Sequence, residues 1–207
     1  MISARQVRTQ ARRRDILDAA LALFLERGVS ETTADDIRAR SGVSVGSFYH
    51  HFAGGKDDVA AALYLETIAE YQAGFLAELR RHRQVASGVR ATVRYHLHWV
   101  EGHRNAARFL FSYGDLELRS RPDEALAQLN ARLVSEVRNW AANVGAGELA
   151  DLPTDVATAL WLGPAQHFAR RWLAGGTTTS IDRAARLLAA AASAALLAAA
   201  RGRPIGD

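Results

Sequence analysis

The 207-residue chain is 49% hydrophobic and 23% charged, with a formal net charge of +4. This balance excludes a wholly disordered chain, and the length is sufficient for one or two domains that bury a core. The sequence contains no cysteine, which excludes disulfides, thiolate catalysis and cysteine-ligated zinc. Residues 1–14 hold five arginines and no acidic residue. Such a segment favours an anionic partner, although a solvated surface gives the same pattern.

The first residues are polar and arginine-rich, without the apolar segment of a secretory signal. The most apolar stretch, residues 187–200, is mostly alanine and is shorter than the ~20 residues that a membrane span needs. We therefore expect a cytoplasmic protein without a membrane partner.

Helical periodicity dominates the first 55 residues. The first predicted helix buries Ile16, Ala20, Leu23 and Phe24 and ends at Gly28. The second begins with a capping-box pattern at residues 33–36 and ends at residues 41–42. The third follows Ser44 as N-cap and covers residues 45–51, before glycines at 54 and 55. Three short helices with a glycine in the turn before the last are typical of a helix-turn-helix.

The rest of the chain is also predicted to be helical. Pro164 interrupts one of its periodic segments, which predicts either a bend beside a cavity or two separate helices. The predicted helices cover residues 56–82, 85–104, 105–111, 122–144, 154–174 and 180–201. The sequence thus predicts an all-α protein of about nine helices, with one domain at residues 1–55 and a second at residues 56–207.

The segment around the third helix resembles the TetR family of bacterial transcriptional regulators. The resemblance rests on Thr32-Thr33-Ala34-Asp35-Asp36-Ile37, on Ser41-Gly42-Val43-Ser44-Val45-Gly46-Ser47-Phe48-Tyr49-His50-His51-Phe52, and on Lys56, within a match of about residues 12–64. It implies an N-terminal helix-turn-helix DNA-binding domain and a C-terminal helical domain that binds a ligand and dimerises.

The third helix has the side chains expected of a recognition helix. Small or polar residues occupy its N-terminal end, where such a helix enters the major groove. Phe48 and Phe52 would pack inward. The resemblance implies that phosphates are contacted by Tyr49, by one of the two histidines at 50 and 51, by the N-terminus of the second helix at Thr33, and by Lys56. The candidate DNA-binding residues are Thr33, Ser44, Val45, Gly46, Ser47, Tyr49, His50, His51 and Lys56, with Val45, Ser47 and His50 the candidates for base contacts.

Aromatic and histidine residues of the second half are candidates for a small-molecule pocket, since such pockets combine apolar walls with a few polar groups. A polar-aromatic helix face that includes His96 and Trp99 fits this description, but equally fits a solvent-facing surface. The candidate ligand-binding residues are His96, Trp99, His103, Phe109, Trp140, Trp161 and His167.

The last two predicted helices have small and aromatic residues at helical spacing, including the seam Ala184, Leu188, Ala191, Ala195 and Ala199. In the TetR family the last two helices form the dimer interface, whereas the competing interpretation is an ordinary core. The resemblance therefore implies a homodimeric repressor that binds a palindromic double-stranded DNA operator and is released by a small-molecule effector. We expect no catalytic residue, no metal and no cofactor.

Three alternatives remain open in the sequence. Residues 42–46 match the G-x-S-x-G pattern, so a serine hydrolase with Ser44 as nucleophile is conceivable, although that motif requires a preceding strand. His96, His103 and His167 could form a metal site. A non-specific binder of nucleic acid or anionic membranes would share the basic N-terminus.

Overall fold

The computed structural model describes residues 4–116, 124–149 and 151–202, and these residues contain no strand. The predicted all-α fold is confirmed. The helices are α1 (Ala4–Arg27), α2 (Ala34–Ser41), α3 (Val45–His51), α4 (Lys56–Arg80), α5 (Val85–Gly102), α6 (Arg104–Leu116), α7 (Glu124–Asn143), α8 (Thr154–Trp161), α9 (Gly163–Leu173) and α10 (Ile181–Ala200), with one 3₁₀ turn at Gly147–Leu149.

One predicted helix boundary needs correction, and one open alternative is decided. The helix expected at residues 105–111 extends as α6 to Leu116, because Phe109 and Tyr113, four residues apart, continue its packed face. At residues 154–174 the structure has two separate helices, which is one of the two alternatives that Pro164 predicted. α8 ends at Trp161 with Leu162 as its C-cap, and Pro164 occupies the first turn of α9, where its missing N–H has no cost. Pro122, the predicted start of α7, lies outside the described residues.

The packing divides the chain into two compact units. Unit 1 contains α1 to α3, the first half of α4 up to Ile68, and α6. Unit 2 contains the remainder of α4, from Ala69, together with α5 and α7 to α10. α4 and the α5–α6 connection therefore each pass from one unit to the other along the chain.

Unit 1 is built around the aromatic side chains of α3. Phe48 is fully buried and Phe52 is nearly so, and they pack in one cluster with Ile37 of α2 and Phe24 of α1, as the sequence predicted. The face of α1 predicted to be apolar is buried as well. This core fixes which side of α3 points inward, and so which side chains remain outside.

Unit 2 is organised around α5, whose residues Val89, Val93, Leu97 and Val100 are completely buried. α10 packs along this helix through its alanine-rich face. Among the described helices, α10 has the length and apolar character that could cross a membrane, with a mean hydropathy of 1.4. It is longer than the expected apolar stretch because the helix starts at Ile181. Core helices of globular proteins share this length and apolar composition, so one such helix does not by itself indicate a membrane protein.

Candidate nucleic-acid interface and C-terminal cavity

The turn between α2 and α3 has the geometry of a helix-turn-helix. Gly42 ends α2 in the left-handed region (φ 69°), and its N–H donates to the carbonyl of Arg38. A side chain at this φ would be strained, so glycine is required here. Ser44 then begins α3 as its N-cap, with Oγ accepting from the Ser47 N–H at 3.2 Å. The predicted capping role of Ser44 is confirmed.

The face of α3 opposite the core is open. Val45 is 55% exposed and Tyr49 is 47% exposed, and both are among the large hydrophobic side chains that the fold leaves outside. Gly46 and His50 are exposed beside them. Tyr49 meets the buried Phe48 edge-on, with ring centroids 5.2 Å apart, so packing explains part of its presence. Val45 is not part of the core cluster, and packing does not explain an apolar residue at this exposed position.

Gly46 is notable because the fold does not require it. A Cβ built at this position would meet no heavy atom within 4 Å. Glycine within a helix costs about 0.5–1 kcal/mol relative to alanine. The chain therefore accepts a less stable helix at an exposed position near the start of α3, where the missing side chain would let another molecule approach the backbone closely.

Thr33 opens α2 with the predicted capping box. Its Oγ1 accepts from the Asp36 N–H at 3.1 Å, and Asp36 Oδ2 accepts from the Thr33 N–H at 3.0 Å. The Thr33 hydroxyl also donates to Asp36 Oδ2 at 2.8 Å. This hydrogen bond, followed by the one from the Thr33 N–H, lowers the pKa of the Asp36 carboxyl. Thr33 remains exposed, so this capped helix end is accessible from solvent.

A bidentate ion pair connects α1 and α2. The Arg40 guanidinium donates to both carboxylate oxygens of Glu26, at 3.0 and 2.9 Å. The hydrogen bond from Arg40 lowers the pKa of Glu26. Arg40 adds to the positive charge of the N-terminal region, but Glu26 neutralises this charge within unit 1.

Lys56 has a role that the resemblance did not indicate. Its ammonium donates to the carbonyls of Val29 and Ser30, each at 2.8 Å. These bonds tie the first residue of α4 to the turn after α1. Two of the three N–H donors are used in this way, which leaves one for any phosphate.

The end of α3 lies near basic residues of α1. His51 is partly buried, and burial, followed by the charges of His50, Arg13 and Arg12, lowers its pKa. Arg13 also lies over the ring of Phe52, with its guanidinium carbon 5.2 Å from the centroid, and pairs with Glu66. Sequence reasoning missed Arg12 and Arg13 as neighbours of this surface, because spacing within α1 carries no information about α3.

His96 and Trp99, two of the candidate ligand-binding residues, are buried in unit 2. His96 is 4% exposed, and its Nδ1 is hydrogen-bonded to the Tyr71 hydroxyl at 2.9 Å. Burial lowers the pKa of His96 to about 4. Among the described residues, its Nε2 has no hydrogen-bond partner. Trp99 packs edge-on against Tyr71, with ring centroids 5.1 Å apart.

His103 and Phe109 lie in different surroundings. The His103 ring stacks on Trp99 at 4.9 Å, and its Nδ1 lies 2.9 Å from the Trp99 carbonyl. Phe109 belongs to unit 1, where it is 2% exposed and stacks on Phe24 at 5.7 Å. The structure therefore gives Phe109 a packing role and does not bring it together with the other candidates.

Trp140 and Trp161 line a cavity of about 140 Å³ in unit 2. Its walls come mainly from α7 and α8, with the 3₁₀ turn and single residues of α4 and α10. Apolar side chains dominate it, including Leu133, Val137, Leu149, Leu152 and Ala157. Arg138, which sequence reasoning did not single out, supplies its charged group. No periodic signal marks an exposed arginine in a helix as part of a cavity.

His167 lines a separate surface groove on α9, with Pro164 and Phe168. Within the described residues, no three His, Cys, Asp or Glu side chains form a group that could hold a metal ion. The three candidate histidines are therefore not brought together as a ligand set. The hydroxyl of Ser44 caps a helix, and no strand precedes it in the described chain, so the strand-dependent nucleophile motif is not formed.

Comparisons with known proteins agree with this geometry. Residues 16–63 match the family model described as "Bacterial regulatory proteins, tetR family". The chain is 49% identical over 43 residues to the HTH-type transcriptional repressor KstR2 of Mycobacterium tuberculosis, which covers 21% of this chain and 22% of that protein. It is 43% identical over 51 residues to the HTH-type transcriptional regulator SrpR of Pseudomonas putida, which covers 25% and 24%. The chain thus matches less than a quarter of the length of these curated relatives.

Solved structures extend the likeness over nearly the whole fold. A TetR family transcription regulator from Marinobacter aquaeolei has a TM-score of 0.74 at 18% identity, covering 92% of this chain and 97% of that one. The transcriptional regulator FadR from Bacillus subtilis, in complex with stearoyl-CoA, has a TM-score of 0.62 at 17% identity, covering 86% and 98%. The helix-turn-helix segment at residues 16–63 therefore matches the TetR family of bacterial regulatory proteins, and the fold is similar to that of solved TetR-family regulators.

Proposed function

We propose that this protein is a cytoplasmic transcriptional repressor that binds a palindromic DNA operator as a homodimer and is released by a small molecule. Residues 1–55 would bind DNA, and residues 56–207 would bind the effector and dimerise. The observation that carries the proposal is the exposed face of α3 around Val45, Gly46 and Tyr49, on a domain that matches regulators named as repressors.

The DNA contacts would divide by position on the surface. Val45, Gly46 and Ser47 form the accessible start of α3 and would meet base edges, with His50 one turn further on. Tyr49, His51 and the capped N-terminus of α2 at Thr33 would meet phosphates, which set affinity and register rather than sequence choice. Lys56 would mainly position the α1–α2 turn, with one N–H left for phosphate.

Dimerisation would use the outer face of α10 together with α9. α10 buries Ala185, Ala189 and Leu196 within unit 2, yet leaves Leu187 60% exposed. From Leu187 to Ala200 the helix carries no charged residue. An uncharged helix face of small side chains permits close approach of a second helix, and a second copy is the occupant that a palindromic site requires.

The effector would bind in unit 2. The 140 Å³ cavity beside Trp140 and Trp161 supports this part of the proposal, as does the acyl-CoA held by the structural neighbour from Bacillus subtilis. α4 belongs to both units, so a ligand that favours one position of its second half would bias its first half. Such coupling is typically worth ~1–3 kcal/mol.

Selection of bound fragments from genomic DNA tests the proposal. The expected result is an inverted repeat whose half-sites lie about one DNA turn, 34–36 Å, apart. Leu187→Glu should give a monomer that loses this selectivity, because a charge would be buried in the interface. Val156→Glu, at another exposed apolar position on α8, is the matched control and should remain dimeric. Equal retention of all fragments by the wild-type protein would overturn the proposal in favour of non-specific binding.

A further inference from the structure

The cavity of unit 2 has an apolar floor that offers no hydrogen bond to a ligand. The indole N–H of Trp140 donates to the His82 carbonyl at 2.8 Å. That of Trp161 donates to Thr92 Oγ1 at 2.9 Å, and the Thr92 hydroxyl lies within hydrogen-bond distance of the Gly88 and Val89 carbonyls. Both indole donors are therefore used within the fold, and the rings present carbon to the cavity.

The floor is also held in place. A Cβ at Gly88 would lie 2.4 Å from Trp140 Cζ2, so this indole is pressed against the α5 backbone and cannot move in that direction. Trp161 packs between Phe75 and Trp140, with ring centroids 5.9 and 6.4 Å away. A ligand would meet a preformed aromatic surface, which lowers the ordering cost of binding.

Polar groups occur at the rim of the same cavity. Arg138, Thr154 and Thr158 are its exposed lining residues. Arg138 Nη2 donates to Thr154 Oγ1 at 3.2 Å, and among the described side chains no carboxylate forms an ion pair with this guanidinium. The described lining contains no acidic residue. The cavity thus combines carbon walls with one cation at its mouth.

We propose that this cavity binds a small monocarboxylic acid whose apolar body is about the size of one aromatic ring. The size argument comes from the volume of about 140 Å³, since a dry apolar cavity of roughly 150 Å³ accommodates benzene. The charge argument comes from Arg138, whose fork matches a carboxylate in two parallel hydrogen bonds. The proposed binding site does not depend on the proposed function. Only the role of the bound acid as an effector rests on that function.

Calorimetric titration of the full chain with benzoate and with its neutral analogue benzyl alcohol tests the proposal, with tryptophan fluorescence as a second readout. Benzoate should bind one site per chain with a Kd below about 1 mM, and more tightly than benzyl alcohol. Arg138→Gln should weaken benzoate about tenfold and leave benzyl alcohol within about twofold, since only the charged contact is lost. Arg132→Gln, at another exposed arginine of α7, should change neither probe.

Ala157→Phe fills the cavity from α8 and should abolish binding of both probes. Arg138→Gln alters an exposed side chain, so it decides the charge argument even if the phenylalanine variant does not fold. Equal affinity of benzoate in wild type and Arg138→Gln, or no binding of either probe, would overturn the proposal. Benzoate binding that leaves operator retention unchanged would instead uphold this site and refute release of DNA by its ligand.

Discussion

The helix-turn-helix and the C-terminal unit differ in what their unusual residues do. On α3, Val45, Gly46 and Tyr49 are exposed, and the one ring contact that Tyr49 makes inward, edge-on to Phe48, leaves 47% of it exposed. In unit 2, His96 and Trp99 stood out equally in the sequence, yet they are buried and packed on Tyr71. A residue type that is unusual for its position and remains exposed suggests a binding partner. An unusual residue type that is buried and contacts its neighbours is explained by packing within the fold.

The contrast has an energetic side. The α3 surface lowers helix stability at Gly46 without any internal steric reason. Several buried polar groups of unit 2 make paired contacts, such as Gln72 Nε2 donating to Asn130 Oδ1 at 2.9 Å, whereas His96 Nε2 has no partner among the described residues. Substitutions on the first surface should therefore change binding more than stability, and substitutions in the second region should do the reverse.

The largest expected effect is on α3. Gly46→Glu places a negative charge where DNA would approach and should reduce operator affinity by about 3 kcal/mol or more, in line with the loss of several base-pair contacts. Gly46→Ala should raise the free energy of unfolding by about 0.5–1 kcal/mol while weakening operator binding. Chemical denaturation and a DNA titration on the same samples measure both. A variant that gained stability and kept full affinity would break the contrast.

The second effect is a pH dependence of stability in unit 2. The pKa of buried His96 is about 4 in the folded chain, against about 6.5 when unfolded. The unfolded state takes up the proton first, so the free energy of unfolding should fall by about 3 kcal/mol as the pH drops from 6.5 to 4. His96→Gln should lack this part of the loss. His98→Gln, at an exposed histidine of the same helix, should retain it, and identical slopes for all three proteins would contradict the assignment.

A smaller effect is expected at the floor of the cavity. Trp161→Phe removes the donor to Thr92 Oγ1 and part of the buried ring, which should lower the free energy of unfolding by about 2 kcal/mol. Operator affinity of the folded variant should be unchanged within twofold. A denaturation curve of equal midpoint would show that the buried contact does not stabilise unit 2.

The smallest effects concern the joints of unit 1. Lys56→Met should cost about 1 kcal/mol, because it removes two hydrogen bonds to the turn after α1. Thr33→Ala should cost about 1 kcal/mol through loss of the N-cap. Thermal unfolding measures both changes, with Lys56→Arg and Thr33→Ser as matched controls that keep a donor or a cap. If Lys56→Met and Thr33→Ala lose no more stability than their controls, these roles are refuted.

Much of the helix-turn-helix was predictable because its signals are local. Thr33 and Ser44 cap helices through residues three positions away, and Gly42 ends α2 within its own turn. The inward packing of Phe48 and Phe52 follows from helical spacing. Such features depend on a few neighbouring residues, and the sequence contains all of them.

The cavity was less predictable because its contacts are long-range. Trp161 and Thr92 are 69 residues apart, and Trp140 and His82 are 58 apart. Their aromatic side chains made Trp140 and Trp161 candidates for ligand binding. Helical periodicity could not distinguish them from Phe109, which packs in the core of unit 1. Arg138 was not predicted at all, since only the folded chain places it at the cavity rim.

The affinity of the wild-type chain for its selected inverted repeat, relative to a scrambled duplex at physiological salt, tests the central claim most directly. The exposed start of α3 can discriminate sequence only if it reaches base edges, so the account predicts a preference of ~10³-fold or more that Gly46→Glu abolishes. Equal affinity for the two duplexes, or a preference that survives Gly46→Glu, would contradict it.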